Sequence, residues 1–450
     1  MSRVAVITPD VLRAQMAGPA IRAFQISAEL SAAGHDVRLI STVECSLSDP
    51  RFDCRAATWG TLKDAVGDAE VVLLQGYVTY RAPWLLNDDR MVVVDLYDPL
   101  HLEQLEQLED RDPLERQAML DLTVRILNEQ LLRGDFFLCA SEEQRHLWLG
   151  HLGALGRLNP QTYAADPTLR SLIGICPFGL QNEPPVRTKP AIRGVVPGIG
   201  SEEKVVLWAG GVYNWFDPLT LLRAIAKLVP AHPDLRLFFL GMKHPNPEVP
   251  QMRVAWQAKQ LADELGLTGS HVIFNDTWVA YDERQNYLLD ADLGVSTHYD
   301  HLETTFSFRT RILDYLWAGL PIVTTVGDAF GRLVTDDRLG LAVPEQDVDA
   351  LATALETMLY DEDEAASARR NVTAIASDFT WNIALAPLVE FCAKPLRAAD
   401  AGADRSRLTR RMVMPKPMLV RLTVRAWLLL RQGGVRVFTR RLLNHLSHED

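Results

Sequence analysis

The stretch HLETTFSFRTRILDYLWAGLP, from His301 to Pro321, gathers ionisable residues in a way that core packing does not require. Leu313, Leu316 and Leu320 recur at the spacing of a buried helix face. Glu303, Arg309, Arg311 and Asp314 crowd the start of that helix, with Thr310 between the arginines. Either these side chains act on a ligand, or Arg311 and Asp314, three residues apart, pair along the helix.

A second group lies in DLYDPLHLE (95–103), which follows the apolar run MVVVD. Asp95, Asp98, His101 and Glu103 are the residue types that serve as base, electrophile stabiliser or hydroxyl ligand. The alternative is that Asp98 and Pro99 make a turn and cap the next helix. Three loops carry weaker signals. Gly18 precedes Pro19 at a helix start, where backbone N–H groups suit an anion or the glycine serves only the turn. Gly210 and Gly211 follow the run VVLWA and permit close backbone approach, and nearby Tyr213 and Trp215 suit stacking on a ring or packing between domains. Lys243, in the proline-rich GMKHPNPEVPQM, follows another apolar run and offers a phosphate contact or a solvated charge. His35, leading into a strand, reads as structural.

These loops need a scaffold that brings them together. Short apolar runs occur at 4–8, 37–40, 71–75, 91–95, 136–140 and 173–176, then at 205–209, 235–240, 271–274, 293–296 and 321–325. Near-continuous apolar strands alternating with helix-length amphipathic segments predict parallel sheets covered on both faces. A Pro- and Gly-rich stretch over 177–204 separates the two sets. The expected fold is α/β: two doubly wound, Rossmann-like domains, 1–183 and 204–394, joined by a linker at 184–203 and facing a cleft. Strand ends meet ligands in such folds, which is where the candidate loops fall.

Composition narrows the classes. The chain of 450 residues is 48% hydrophobic and 23% charged, as in a globular protein. Its five scattered cysteines argue against a disulfide framework or zinc site and for a reducing compartment. No run reaches the ~20 apolar residues of a membrane span, and no signal-peptide stretch precedes the first strand, so a cytoplasmic location is expected. Residues 401–450 hold eleven basic against three acidic residues, leaving residues 1–400 at net −20. That acidic body excludes a nucleic-acid binder. The basic region 395–450 is expected to be a helical tail, packed on the body or in peripheral contact with an anionic membrane.

Taken in order, MAGPAIRAFQISAELSAAGHDV, CASEEQRHL (139–147), CPFGL (176–180) and ADLGVSTHYD…RILDYLWAGLPIVTT resemble the family 4-like glycosyltransferases of the GT-B fold over about residues 1–395. The resemblance implies sugar transfer from a nucleotide-diphosphate sugar, held mainly by the second domain, to an acceptor on the first. It implies a retaining, metal-independent reaction with no cofactor beyond the donor. Asp314 falls where the family's glutamate grips the ribose hydroxyls. Thr310 and Arg311, at a helix start, would hold the diphosphate, and Arg309 or Arg311 would neutralise the departing nucleotide.

Three departures are visible. The loop AGGVYNWFD lacks the family's Arg and Lys, leaving Arg309, Arg311 and Lys243 as sources of positive charge. Glu303 and Asp314 stand eleven apart where the family's two glutamates stand eight apart. The family's histidine near the reacting carbon is replaced in Leu96-Tyr97-Asp98, with Asp98 retained and His101 as a substitute. The expected acceptor is a glycan or a lipid-linked one at the inner face of the plasma membrane. An epimerase on the same fold and a non-catalytic nucleotide or glycan binder are the alternatives. An oxidoreductase is excluded, since the first loop lacks GxGxxG.

Overall fold

The computed structural model describes residues 1–109, 111–246 and 252–403; the basic tail read from the sequence lies almost wholly outside the described residues. The first domain is a seven-stranded sheet of β1 (Arg3–Thr8), β2 (Asp36–Ser41), β3 (Asp53–Ala56), β4 (Val71–Gln75), β5 (Met91–Asp95), β6 (Phe136–Cys139) and β7 (Ile173–Ile175). Its order is β3-β2-β1-β4-β5-β6-β7. The second is a six-stranded sheet of β8 (Lys204–Trp208), β9 (Leu235–Phe239), β10 (Val272–Phe274), β11 (Leu293–Ser296), β12 (Ile322–Thr325) and β13 (Gly340–Val343), ordered β10-β9-β8-β11-β12-β13. Every pairing between these strands is parallel. The strand order reverses between β1 and β4 and again between β8 and β11, and each reversal opens a crevice at the carboxyl ends of the strands.

All eleven apolar runs are strands. The two strands without such a run, β3 and β13, are edges: β3 is largely exposed and β13 half-buried for most of its length. The other two edge strands, β7 and β10, keep short apolar runs, so it is the exposure of β3 and β13, not edge position alone, that removes the apolar signature.

The domains are connected twice. Residues 188–192 of the connecting segment are tied to the second domain: Asn286 Oδ1 accepts from the Thr188 N–H (2.8 Å), and Asp290 Oδ2 accepts from those of Ala191 and Ile192 (2.8 Å each). The chain crosses back beside it, with the Leu180 N–H donating to Phe379 O (2.7 Å) and the Trp381 N–H to Leu180 O (2.9 Å). Helices Trp381–Ala384 and Ala386–Ala393 then pack on the first domain, against helix Gly18–Ala32 and, in the second case, β7. Phe391 stacks on Phe136 at 4.7 Å. Farther on, Asp400 receives two hydrogen bonds from the buried Arg157 (2.9 and 3.0 Å). No helix among the described residues is long and apolar enough to cross a membrane.

One buried ion pair sets the loop after β5. Arg22, on helix Gly18–Ala32, grips Asp95 with Nε and Nη2 (2.7 and 2.9 Å), both side chains being fully buried. It also donates to the carbonyls of Cys176 and Pro177 (2.8 and 2.9 Å) and lies over the Tyr97 ring at 4.7 Å. A buried pair broken on one side leaves an uncompensated charge. Asp95→Asn is therefore expected to destabilise the first domain by about 3 kcal/mol, read as a lower urea midpoint with unchanged slope.

Candidate active site

The carboxyl ends of the two sheets face each other across a cavity of about 320 Å³, lined from both domains. Interdomain hydrogen bonds flank it. On one side Trp278 Nε1 donates to Met16 O (2.9 Å), the Tyr281 N–H to Ala14 O (2.9 Å) and Asn246 Nδ2 to Asp10 Oδ1 (3.0 Å). On the other, Gln144 Nε2 donates to both Tyr97 O and Phe306 O (2.7 Å each), joining the loop after β5 to the second domain.

Helix Thr310–Ala318 points its N-terminus into this cavity. It lies against the sheet through Ile312, Leu313, Tyr315 and Leu316, all buried. The Tyr315 hydroxyl sits 2.9 and 2.8 Å from the carbonyl oxygens of Leu207 (β8) and Val295 (β11) and accepts from the Ala209 N–H (3.0 Å). The close approach needs glycine at 294, where a Cβ would meet the Tyr315 ring at 2.3 Å. Arg309 caps the helix without a side-chain capping bond, leaving first-turn N–H groups toward the cavity. Thr310 lines it.

The two arginines have different surroundings. Arg309 donates to Glu303 Oε2 (3.0 Å) and Thr304 Oγ1 (3.1 Å) and lies 3.8 Å from Asp328 Oδ2, so its charge is balanced within the protein. Arg311 is 6% exposed and lies between the rings of Trp208 (4.2 Å) and Phe216 (3.9 Å). Its Nη2 donates to Gly211 O (2.6 Å), while Nη1 has no hydrogen-bond partner. No carboxylate pairs with it among the described residues. Burial, with the like charge of Arg309, brings its pKa down to about 10. A buried cation without a counter-ion is costly, and this one lines the cavity.

Asp314 is not paired with Arg311. Arg284 Nε donates to its Oδ1 (3.0 Å), and that guanidinium is stacked between Tyr281 (3.8 Å) and Trp317 (4.5 Å). Gly211 presents its carbonyl to Arg311, and Gly210 adopts φ +93°, a conformation glycine accepts readily. Tyr213 stacks on Trp215 at 4.9 Å, both lining the cavity.

The first-domain wall carries Gly18, at the start of helix Gly18–Ala32, with Asp98 and Glu103. Burial raises the Asp98 carboxyl to about 7; the Tyr97 hydroxyl and Arg22 oppose this, and Asp95 and Glu303 add to it. Burial also raises Glu103 well above its usual range, helped by Asp98 and Glu303.

Two expected residues lie elsewhere. The His101 ring packs 5.7 Å from Trp148, does not line the cavity, and is lowered to about 4 by burial, so it is neutral. Lys243 is exposed, also outside the lining; its neighbour His244 takes the inward position, 5.6 Å from Trp278. Arg284, Trp278 and Tyr281 were not expected from the sequence. They sit in NDTWVAYDER after β10, where an arginine among aromatics was the available signal.

Residues 203–361 match the family model described as Glycosyl transferases group 1, so the second domain carries a glycosyltransferase-family domain. The D-inositol 3-phosphate glycosyltransferase of Corynebacterium kroppenstedtii is 23% identical over 220 residues, 46% of this chain and 45% of that protein, so the match spans about half of each. Sucrose-phosphate synthase from Thermosynechococcus elongatus superposes with a TM-score of 0.61 at 17% identity, covering 86% of this chain and 97% of that one. Anabaena HepE in complex with UDP-glucose gives 0.63 at 14% identity, covering 88% and 100%. The fold is the two-domain GT-B glycosyltransferase fold.

A carboxyl whose folded pKa is raised supports folding below its unfolded value and loses that support as pH rises through the folded one. For Asp98 the window runs from the ordinary 3.8 to about 7. Asp98→Asn is accordingly expected to raise the melting temperature more at pH 8 than at pH 5; equal shifts at both pH values would contradict the burial of that charge.

Proposed function

We propose that this protein transfers a sugar from a nucleoside-diphosphate sugar to a hydroxyl of an acceptor bound against the first domain. The observation that carries this reading is Arg311: buried, without a carboxylate, with an unpartnered Nη1, in the cavity lining beside an uncapped helix N-terminus. A diphosphate supplies the missing negative charge and the acceptor oxygens for both.

The other residues then take places around it. Asp314, held by Arg284, accepts from the ribose hydroxyls. Glu303, fixed by Arg309, faces hydroxyls of the donor sugar, and Gly18, Gly210 and Gly211 let backbone approach the ligand. Charge builds on the leaving diphosphate as the bond to the anomeric carbon breaks, and Arg311 stabilises it in a site shielded from water. Asp98 stands on the acceptor side, where its raised pKa suits exchange of the acceptor proton near neutral pH.

Fixed guanidinium charge performs the role that a divalent cation takes in other transferases, so the reaction is read as metal-independent, with no cofactor beyond the donor. Retention of anomeric configuration follows the family resemblance, with the acceptor entering on the face that the diphosphate leaves. The likeness to a fold relative solved with UDP-glucose supports a nucleotide-sugar donor. A glycan or lipid-linked acceptor fits a basic segment at 401–450 that meets anionic lipid, consistent with action at the inner face of the plasma membrane. The Arg157–Asp400 pair would start that segment from the first domain.

Arg311→Ala is expected to lower kcat for release of nucleoside diphosphate by at least about 100-fold, with Arg311→Lys retaining more activity and a chelator changing nothing. Full activity of Arg311→Ala across a donor panel would refute the donor site. Flotation with anionic liposomes should depend on residues 401–450.

A further inference from the structure

The two walls of the cavity carry ionisable groups of opposite kind. On the second-domain wall, Arg311 is the cation without a carboxylate, since Arg309 is balanced by Glu303 and Arg284 by Asp314. On the first-domain wall, the described lining residues include no lysine, arginine or histidine. Its acidic groups are the carboxyls of Asp98 and Glu103, both raised by burial, and neither makes an ion pair among the described residues. Asp95 beneath them is already used by Arg22, and Glu303, which acts on both from across the cavity, by Arg309. The remaining polar side chains on that wall are the neutral amide of Gln107 and the Tyr97 hydroxyl.

Given sugar transfer as the activity, this asymmetry bears on the acceptor. The single uncompensated cation is taken by the donor's diphosphate. A second anion, brought in as a phosphate on the acceptor, would meet two carboxyl groups and no cation in a low-dielectric site, where an unpaired anion is penalised and opposes ionisation of those carboxyls. A hydroxyl-rich neutral ring, in contrast, finds acceptors in Asp98 and Glu103 and a neutral amide in Gln107. An ammonium group finds the counter-charge that the wall lacks, and its arrival favours the ionised carboxylates.

We propose that the first-domain wall, through Asp98 and Glu103, selects an acceptor that bears no anionic group near its attacking hydroxyl, a neutral or amine-bearing sugar, and rejects phosphorylated sugars. The inference rests on the donor reading above, and the two can fail separately.

The test uses the full chain saturated with whichever nucleoside diphosphate binds it, so that Arg311 is occupied. Matched pairs are then compared by ligand-observed NMR and calorimetry: glucose with glucose 6-phosphate, glucosamine with glucosamine 6-phosphate, and myo-inositol with inositol 3-phosphate. The expected result is at least about tenfold weaker binding of the phosphorylated partner. Glu103→Lys should narrow or reverse that order. Equal or tighter binding of the phosphorylated partners, or no difference within any pair, overturns the acceptor inference. If nucleoside diphosphate binds and Arg311→Ala abolishes that binding, the donor reading survives that outcome. If none of the nucleoside diphosphates binds, the donor reading itself falls.

Discussion

A guanidinium buried between Trp208 and Phe216 with no carboxylate to balance it is the constraint around which the cleft is organised. Such a charge persists only where the surrounding structure holds it, and here the restraints are specific. Gly211 O fixes one Nη atom, the two aromatic faces confine the plane, and Tyr315 fastens the helix that carries it to β8 and β11. Gly294 admits the Tyr315 ring to within contact of the sheet. The folding energy of the second domain is thus used to keep a positive charge partly unsatisfied at the mouth of a helix, which is the state of a preorganised anion site.

The other ionisable groups near the cleft are mostly consumed internally. Arg22 with Asp95, Arg309 with Glu303 and Arg284 with Asp314 are ion pairs that hold loops and side chains in place. Removing these pairs from consideration leaves Arg311 on one wall and Asp98 and Glu103 on the other. The polarity of the cleft follows from that subtraction rather than from the total charge of −12.

Much of this organisation was readable in the sequence, for physical reasons. Buried strands are largely apolar, so eleven of them announced themselves, while β3, largely exposed, and β13, half-buried, did not. The helix at 310–318 was legible from its leucines and the charges at its start. What sequence spacing could not convey was partnership across the fold. Arg311 and Asp314 are three apart, yet Asp314 turns to Arg284, thirty residues away. Arg309 and Arg311 look equivalent in FRTR, but one faces Glu303 and Asp328 and the other faces none. His101 and Lys243 have suitable chemistry, but one packs on Trp148 and the other is exposed. The return of helices Trp381–Ala384 and Ala386–Ala393 to the first sheet was likewise hidden, because their apolar faces do not specify which sheet they cover.

The central claim is that Arg311 is held in reserve for a diphosphate. A crystal structure of the chain with a bound nucleoside diphosphate tests it most directly. The account predicts the terminal phosphate within about 3 Å of Arg311 Nη1, facing the N–H groups at the start of helix Thr310–Ala318, with the ribose on Asp314 and the Arg284 bond retained. A diphosphate seated away from Arg311, with Nη1 still unpartnered, would contradict it.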